Sequence, residues 1–272
     1  MIPAAFEYRR AASVDDAVAL LAEHGGDAKV LAGGHSLVPL LRLRFARPAL
    51  LVDLGRVDGL AGVRNDGDVV SIGAMTTYCD LESSPIVASR APLLAAAASE
   101  VGDPQVRHRG TIGGSLCHGD PASDVAAALL ALDATLVVRG EGGERHIAVA
   151  DVFVGFLETA IGPEELLTEI RVPATSAPWA FEKFNRRAQD WAIVGCAVLG
   201  GPTPRIALVN MATTPVRSAH AESALASGAA PGDAAQVAGD GLDPPSDANA
   251  SADYRSHLAR VLVARALSRA CP

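Results

Sequence analysis

Two short segments constrain this chain more than any other part of it: Ala32-Gly33-Gly34-His35-Ser36 and Thr111-Ile112-Gly113-Gly114-Ser115. A glycine pair lets the backbone turn sharply and lets a ligand approach it closely. Successive exposed N–H groups form a nest for an anion, above all a phosphate. The serine and threonine hydroxyls add donors. Either pair alone reads first as a turn, the usual role of paired glycines. Two in one chain suit a diphosphate held from two sides, which makes a dinucleotide or flavin nucleotide one reading. Neither G-x-G-x-x-G nor G-x-x-x-x-G-K-[ST] occurs.

The surrounding pattern sets both segments among strands and helices. Phe6 to Arg9 reads as a short strand. Ser13 caps a helix whose first turn carries Asp15 and Asp16. Val14, Ala17, Val18 and Leu21 follow at helical spacing, and Gly25-Gly26 is the stop. Lys29 to Ala32 and Leu50 to Asp53 read as buried strands, and this first α/β unit ends near residue 55. A second unit runs to about 175. Val69 to Gly73 is a strand, 76–101 is helical with breaks at Pro85 and Pro92, and a helix spans Ser123 to Leu132. Strands fall near 134–139, 144–149 and 166–172, and Pro173 to Pro178 is a linker. In the last third, strands are expected at 180–186, 192–199 and 205–211, with a helix opening at Thr214-Pro215 and running through Ala224. Residues 226–250, rich in Ala, Gly, Asp, Ser and Pro, read as a loose connection. Ala252 to Ala270 reads as an amphipathic helix. This third looks like a separate α+β domain.

With 272 residues, 49% of them apolar, the chain can bury a sizeable core, and wholesale disorder is excluded. Aromatics are 4%, so that core is mostly Ala, Val and Leu. A net charge of −8 argues against general nucleic-acid binding, which needs a basic stripe. No apolar run reaches the roughly 18–20 residues of a membrane span. Met1 to Arg10 has no signal pattern, so the expected location is cytoplasmic. Cys79, Cys117, Cys196 and Cys271 are scattered without a C-x-x-C. No metal site, iron–sulfur ligation or disulfide is expected on this chain.

Residues 32–44, Ala-Gly-Gly-His-Ser-Leu-Val-Pro-Leu-Leu-Arg-Leu-Arg, resemble the first FAD loop of the molybdenum hydroxylase flavoproteins. Arg109 to Asp124, Arg-Gly-Thr-Ile-Gly-Gly-Ser-Leu-Cys-His-Gly-Asp-Pro-Ala-Ser-Asp, resemble the second. Phe181 to Trp191, Thr214 to Arg217 and Tyr254 to Leu262 are similar to later parts of the same family, so the resemblance covers nearly the whole chain. Its nearest form is the medium, FAD-binding subunit of aerobic carbon monoxide dehydrogenases and their relatives. The flavin domain of xanthine dehydrogenase is more distant. The resemblance implies an α+β chain. Residues 1–175 would form a vanillyl-alcohol-oxidase (PCMH)-type FAD-binding domain of two α/β subdomains, about 1–55 and 56–175. Residues 178–272 would form a small C-terminal α+β domain of the carbon monoxide dehydrogenase flavoprotein type. It also implies non-covalent FAD here, molybdopterin on a large partner subunit and two [2Fe–2S] clusters on a small one, in a dimer of heterotrimers. The chain would relay electrons through FAD to an external acceptor, with no catalytic residue and no substrate turnover of its own.

Carried over residue by residue, Ala32, Gly33, Gly34, His35, Ser36 and Leu37, with Thr111, Ile112, Gly113, Gly114 and Ser115, would wrap the FAD diphosphate. Ser123 and Asp124 fall where the family places further polar contacts, Ile161 where it packs on the adenine or flavin side, and Lys183 near the cofactor. Trp191 falls beside the isoalloxazine; it reads equally as a core residue opening an apolar strand. In berberine-bridge-type oxidases a histidine like His35 is bonded to the flavin. In the family resembled it is a non-covalent loop residue. Cys117 reads as a small buried apolar group, His118 and Asp120 as shaping the second loop, and Glu164-Glu165 as helix N-terminal charges. Arg42, Arg44 and Arg47 face the cofactor, a partner or solvent. Asn210-Met-Ala-Thr-Thr-Pro departs from the Gly-rich run expected before Pro-x-Arg. Two other functions stay open. A free-standing PCMH-type flavin oxidase would need a larger substrate-covering domain than 178–272. A scaffold subunit binding no nucleotide is opposed by the intact glycine, serine and threonine positions.

Overall fold

Parallel strands need long crossovers, and the first unit supplies helices for them. The computed structural model describes residues 2–271. β1 (Glu7–Arg10), α1 (Val14–His24), β2 (Ala28–Leu31), α2 (Leu37–Leu43) and β3 (Leu50–Asp53) form a parallel sheet in the order β1-β3-β2. Ser13 Oγ accepts from the Asp16 amide at 3.0 Å, and Asp16 Oδ2 accepts from the Ala12 amide at 2.8 Å. These bonds satisfy donors left over at the start of α1. Gly25, at φ 52°, ends it. Ala17, Val18 and Leu21 join Leu50 and Val52 in one apolar cluster.

β4 (Val63–Asp66) and β5 (Val69–Gly73) open the second unit. Six helices follow: α3 (Tyr78–Ser83), α4 (Pro85–Arg90), α5 (Pro92–Ser99), α6 (Pro104–Arg107), α7 (Ile112–His118) and α8 (Asp124–Ala131). The expected breaks at Pro85 and Pro92 are helix starts, where a missing N–H costs nothing. Then come β6 (Thr135–Gly140), β7 (Gly143–Ala148), the hairpin strands β8 (Phe153–Gly155) and β9 (Glu158–Thr159), and β10 (Leu166–Pro173). The long strands make an antiparallel sheet, β4-β5-β10-β6-β7. Every residue of α8 is buried, and all but Asp124 are apolar.

β11 (Trp179–Phe184), β12 (Val194–Leu199), β13 (Arg205–Val209) and β14 (Val216–Arg217) form the third sheet, followed by α9 (Ala219–Ala226), α10 (Pro231–Gln236) and α11 (Ala252–Ala270). Three expectations fail in physical detail. Thr214-Pro215 opens no helix: Val216 and Arg217 pair with β13, and Arg217 is held there by two hydrogen bonds to Glu222, each 2.8 Å. Residues 226–250 are not loose. α10 lies within them, Ala234, Ala235 and Ala238 are buried, and Ser218 Oγ donates to the Ala238 carbonyl at 2.7 Å. The buried Arg255 of α11 anchors the end of this stretch by donating to Asp247 Oδ2 at 2.8 Å. Glu164 and Glu165 precede a strand, and Glu165 receives two hydrogen bonds from Arg145 at 2.6 and 2.7 Å. The third sheet is buried on both faces. Ala197, Leu199, Ala207 and Val209 join the central core with α5 and α8, while Cys196, Val198, Ile206 and Leu208 pack with α10 and α11.

Candidate functional site

β2 ends at Leu31, and the chain turns through Ala32–Ser36 into α2. Gly34 takes φ 79°, a region that glycine enters without strain. The amides of Gly33, Gly34, His35 and Ser36 donate to no acceptor among the described residues. Four consecutive free donors leading into a helix match an anion.

The second segment is built differently. Thr111 caps α7, its Oγ1 accepting from the Gly114 amide at 3.1 Å. The Ile112 amide donates to Thr76 O at 3.0 Å, that of Gly113 to Ala74 O at 2.9 Å and that of Ser115 to Thr111 O at 3.1 Å. This is a helix start whose amides are taken, not a second open loop. Its glycines serve close packing. A Cβ on Gly113 would lie 2.6 Å from the Ala74 carbonyl oxygen. A Cβ on Gly33 would lie 2.1 Å from the Arg109 carbonyl oxygen, so this glycine lets the first segment press against the approach to the second. A Cβ on Gly114 would stand 3.8 Å from Ala32 Cβ. The two segments face each other as expected, but the free amide donors lie on one side.

Ser115 Oγ is 3.0 Å from Ser123 Oγ, and Ser123 caps α8. Asp124, the first residue of α8, is buried, and its Oδ2 accepts from Lys183 Nζ at 2.7 Å. Lys183, on β11, also donates to Glu100 O at 2.8 Å. The Asp124–Lys183 pair therefore ties the third sheet to the second unit. Burial pushes the Asp124 carboxyl up to about 6, against the pull of the Lys183 ammonium. Asp124 Oδ1 is buried without a partner. Such an atom costs free energy unless some donor reaches it. Tyr78, on α3, is buried close by; burial pushes its phenol up to about 12, the Ser115 hydroxyl opposing and the Asp124 charge adding.

The remaining residues divide. Ile112 turns its side chain into the central core. Ile161 is half-buried two residues beyond β9, and β9 packs against Gly119 at the end of α7. Leu37 opens α2 half-buried, and His35 is exposed. Trp191 is 63% exposed, which overturns the core reading; the strand begins only at Val194. Cys117 is exposed rather than buried. Asp120 shapes its turn by accepting from the Ala122 amide at 2.8 Å. Arg42, Arg44 and Arg47 are exposed and form no ion pair among the described residues. Asn210 stands out in the sequence only as the start of a departure from a Gly-rich run, with no role read for it. Its Nδ2 donates to Ala192 O at 3.0 Å and its amide to Pro121 O at 2.8 Å, so it ties the root of the Trp191 segment to the turn before Asp124. Asn210 has φ 61°, a conformation asparagine tolerates better than most residues. The signal was its standing where a Gly-rich run was expected.

No group of three or more His, Cys, Asp or Glu among the described residues is arranged to hold a metal ion. No helix among them is long and apolar enough to cross a membrane.

Residues 4–175 match the family described as FAD binding domain in molybdopterin dehydrogenase. The chain belongs to that family of FAD-binding flavoproteins, the oxidoreductase subunits of molybdenum hydroxylase complexes. Residues 179–270 match the CO dehydrogenase flavoprotein C-terminal domain. The carbon monoxide dehydrogenase medium chain of Hydrogenophaga pseudoflava is 46% identical, over 99% of this chain and 98% of that one. The 6-hydroxypseudooxynicotine dehydrogenase complex subunit alpha of Paenarthrobacter nicotinovorans is 40% identical, over 99% and 96%. Among solved structures, carbon monoxide dehydrogenase from Hydrogenophaga pseudoflava superposes with a TM-score of 0.95 at 47% identity, covering 99% of this chain and 98% of that one.

Proposed function

We propose that this chain is the FAD-carrying electron-transfer subunit of a molybdenum–iron–sulfur–flavin dehydrogenase, with FAD held non-covalently. The observation that carries the reading is the run of four free amides, Gly33 to Ser36, in the segment that packs against the second glycine segment, together with the orphaned Asp124 Oδ1. Together they fit a group that is anionic at one point and carries a hydrogen-bond donor at another. FAD has both, in its diphosphate and its hydroxyls. When bound, it supplies the capacity to accept electrons singly and release them in pairs.

The protein's own part is to bind and orient. The free amides of Gly33, Gly34, His35 and Ser36 would hold the diphosphate by hydrogen bonds. Ala32 and Leu37 flank them, and Thr111, Gly113, Gly114 and Ser115 form the opposite wall, with Ile112 behind it in the core. Ser123 and the free oxygen of Asp124 take hydroxyl donors, while Lys183 holds the other Asp124 oxygen and keeps the carboxylate aimed. Ile161 and the exposed Trp191 supply apolar contact to the rings. Residues 1–175 thus form the cofactor domain, and 178–272 fix its open side through Lys183.

The partners in this reading are a large molybdopterin subunit and a small subunit with [2Fe–2S] clusters, assembled as a dimer of heterotrimers. The relatives named above act on different substrates, by their names, while remaining 46% and 40% identical to this chain. That supports substrate choice in another subunit. The deciding experiment is a titration of the purified chain with FAD and with FMN, followed by acid precipitation. The expected result is tight binding of FAD, weak binding of FMN and all flavin in the supernatant. Equal affinity for FMN would sink the diphosphate assignment. Yellow colour in the pellet would point to a covalent flavin on His35 and to the oxidase reading.

A further inference from the structure

Outside the cofactor site, one pair of side chains has the geometry of an activated nucleophile. Cys79 Sγ, in the first turn of α3, lies 3.5 Å from Nε2 of His108, the residue that ends α6. The other ring nitrogen, Nδ1, lies 2.7 Å from the Pro104 carbonyl oxygen. A carbonyl only accepts, so Nδ1 must carry the proton. In neutral His108 this leaves Nε2 as a bare acceptor facing the thiol. A nucleophile, a base within reach and a third group that orients the base is the arrangement that activates side-chain nucleophiles.

The arrangement is held in place. Arg107 Nε and Glu82 Oε2, 2.9 Å apart, link α6 to α3. Gly110 packs on the Tyr78 ring so closely that a Cβ there would lie 2.8 Å from it. Access is open, since Cys79 is partly exposed and His108 exposed. The pair also adjoins the cofactor segment: the Tyr78 amide donates to Gly110 O at 3.1 Å, and Thr77 and Thr111 form a backbone bridge. The described bonds of α7 and of the cofactor segment do not use either side chain.

We propose that Cys79 is a modification site, a thiol that His108 activates toward hydrogen peroxide. His108 Nε2 takes the thiol proton, and the sulfur attacks one peroxide oxygen. An S–O bond forms as the O–O bond breaks. The departing hydroxide takes the proton back and leaves as water. The thiol is oxidised to a sulfenic acid, and one peroxide is reduced to water and the sulfenic hydroxyl. The site does not depend on the flavin reading.

The test treats the full-length chain, with and without FAD, with added hydrogen peroxide in the presence of dimedone, and follows each cysteine by peptide mass. Cys117 is exposed as a residue, but burial of its thiol pushes it up to about 12, and burial pushes the Cys271 thiol up as well, so the reference is Cys79 itself in the His108 variants. Cys79 is expected to label at least about tenfold faster in the parent chain than in His108→Gln, a modest share of what a positioned base supplies. His108→Asn, a shorter amide, should slow it similarly and gives a second check should one variant misfold. Circular dichroism and peroxide-independent alkylation of Cys117 report on folding. A Cys79 labelling rate unchanged in both folded His108 variants would overturn the proposal.

Discussion

Gly33 and Gly114 look alike in sequence and act differently. At Gly33 a methyl group would strike a backbone carbonyl 2.1 Å away, which cannot move without parting the two segments. Gly33→Ala should therefore lower both flavin affinity and thermal stability. At Gly114 the near atom is the Thr111 hydroxyl at 2.8 Å, and Ala32 lies across the gap. Gly114→Val should leave the far-ultraviolet circular dichroism unchanged but weaken FAD binding at least about tenfold, or by more than about 1.4 kcal/mol, because its methyls intrude between the segments. Unchanged FAD affinity in a fluorescence titration would refute this. At the buried ion pair, Lys183→Met leaves the Asp124 carboxylate uncompensated, and urea unfolding should show a loss of about 3–5 kcal/mol. Adding Asp124→Asn should recover part of it. Lys183 and Asp124 were both legible as cofactor neighbours by resemblance. Their partnership was not, since nothing in sequence links residues 59 positions apart.

At the level of the element, caps and breakers behaved as local chemistry requires. α11 begins after Ser251, whose Oγ accepts from the Tyr254 amide at 3.3 Å, and it spans the stretch read from the sequence. The short strand β14 escaped notice because two residues carry no period, and Pro215 imitates a helix start. Ser123 both caps α8 and bonds Ser115, so Ser123→Ala should cost about 1 kcal/mol and also shift flavin affinity. The turn before β10 sets an acid limit. The paired hydrogen bonds from Arg145 hold the Glu165 carboxyl below its usual 4.5. A lowered carboxylate contributes stability that is complete above its unfolded value and is lost as pH falls through the folded one. The melting temperature should therefore drop below pH 4.5 through this group. Glu165→Gln should flatten that part of the curve while leaving the rest of it intact.

For the whole molecule, what the reading of 178–272 as a separate α+β domain leaves out is the core it shares with the second unit. One face of the third sheet, through Ala197, Leu199, Ala207 and Val209, completes the same core as α8. A chain ending at residue 175 would expose that core, and it should aggregate on expression. The full chain should melt in one transition by calorimetry, whereas two separate transitions would show independent domains. The sequence by itself determined the helix caps, the glycine turns, most strand positions and the family, because these rest on residues near one another in the chain and on motifs of fixed spacing. Only the tertiary structure decided which of the two glycine segments keeps its amides free, that the alanines of 226–250 are buried, that Trp191 is exposed, and that Asn210 and Lys183 join distant segments to the site. Each of those depends on which surface closes on a residue from elsewhere in the chain. Alanine, glycine and a backbone N–H carry no mark of that closure until the fold brings the other surface to them.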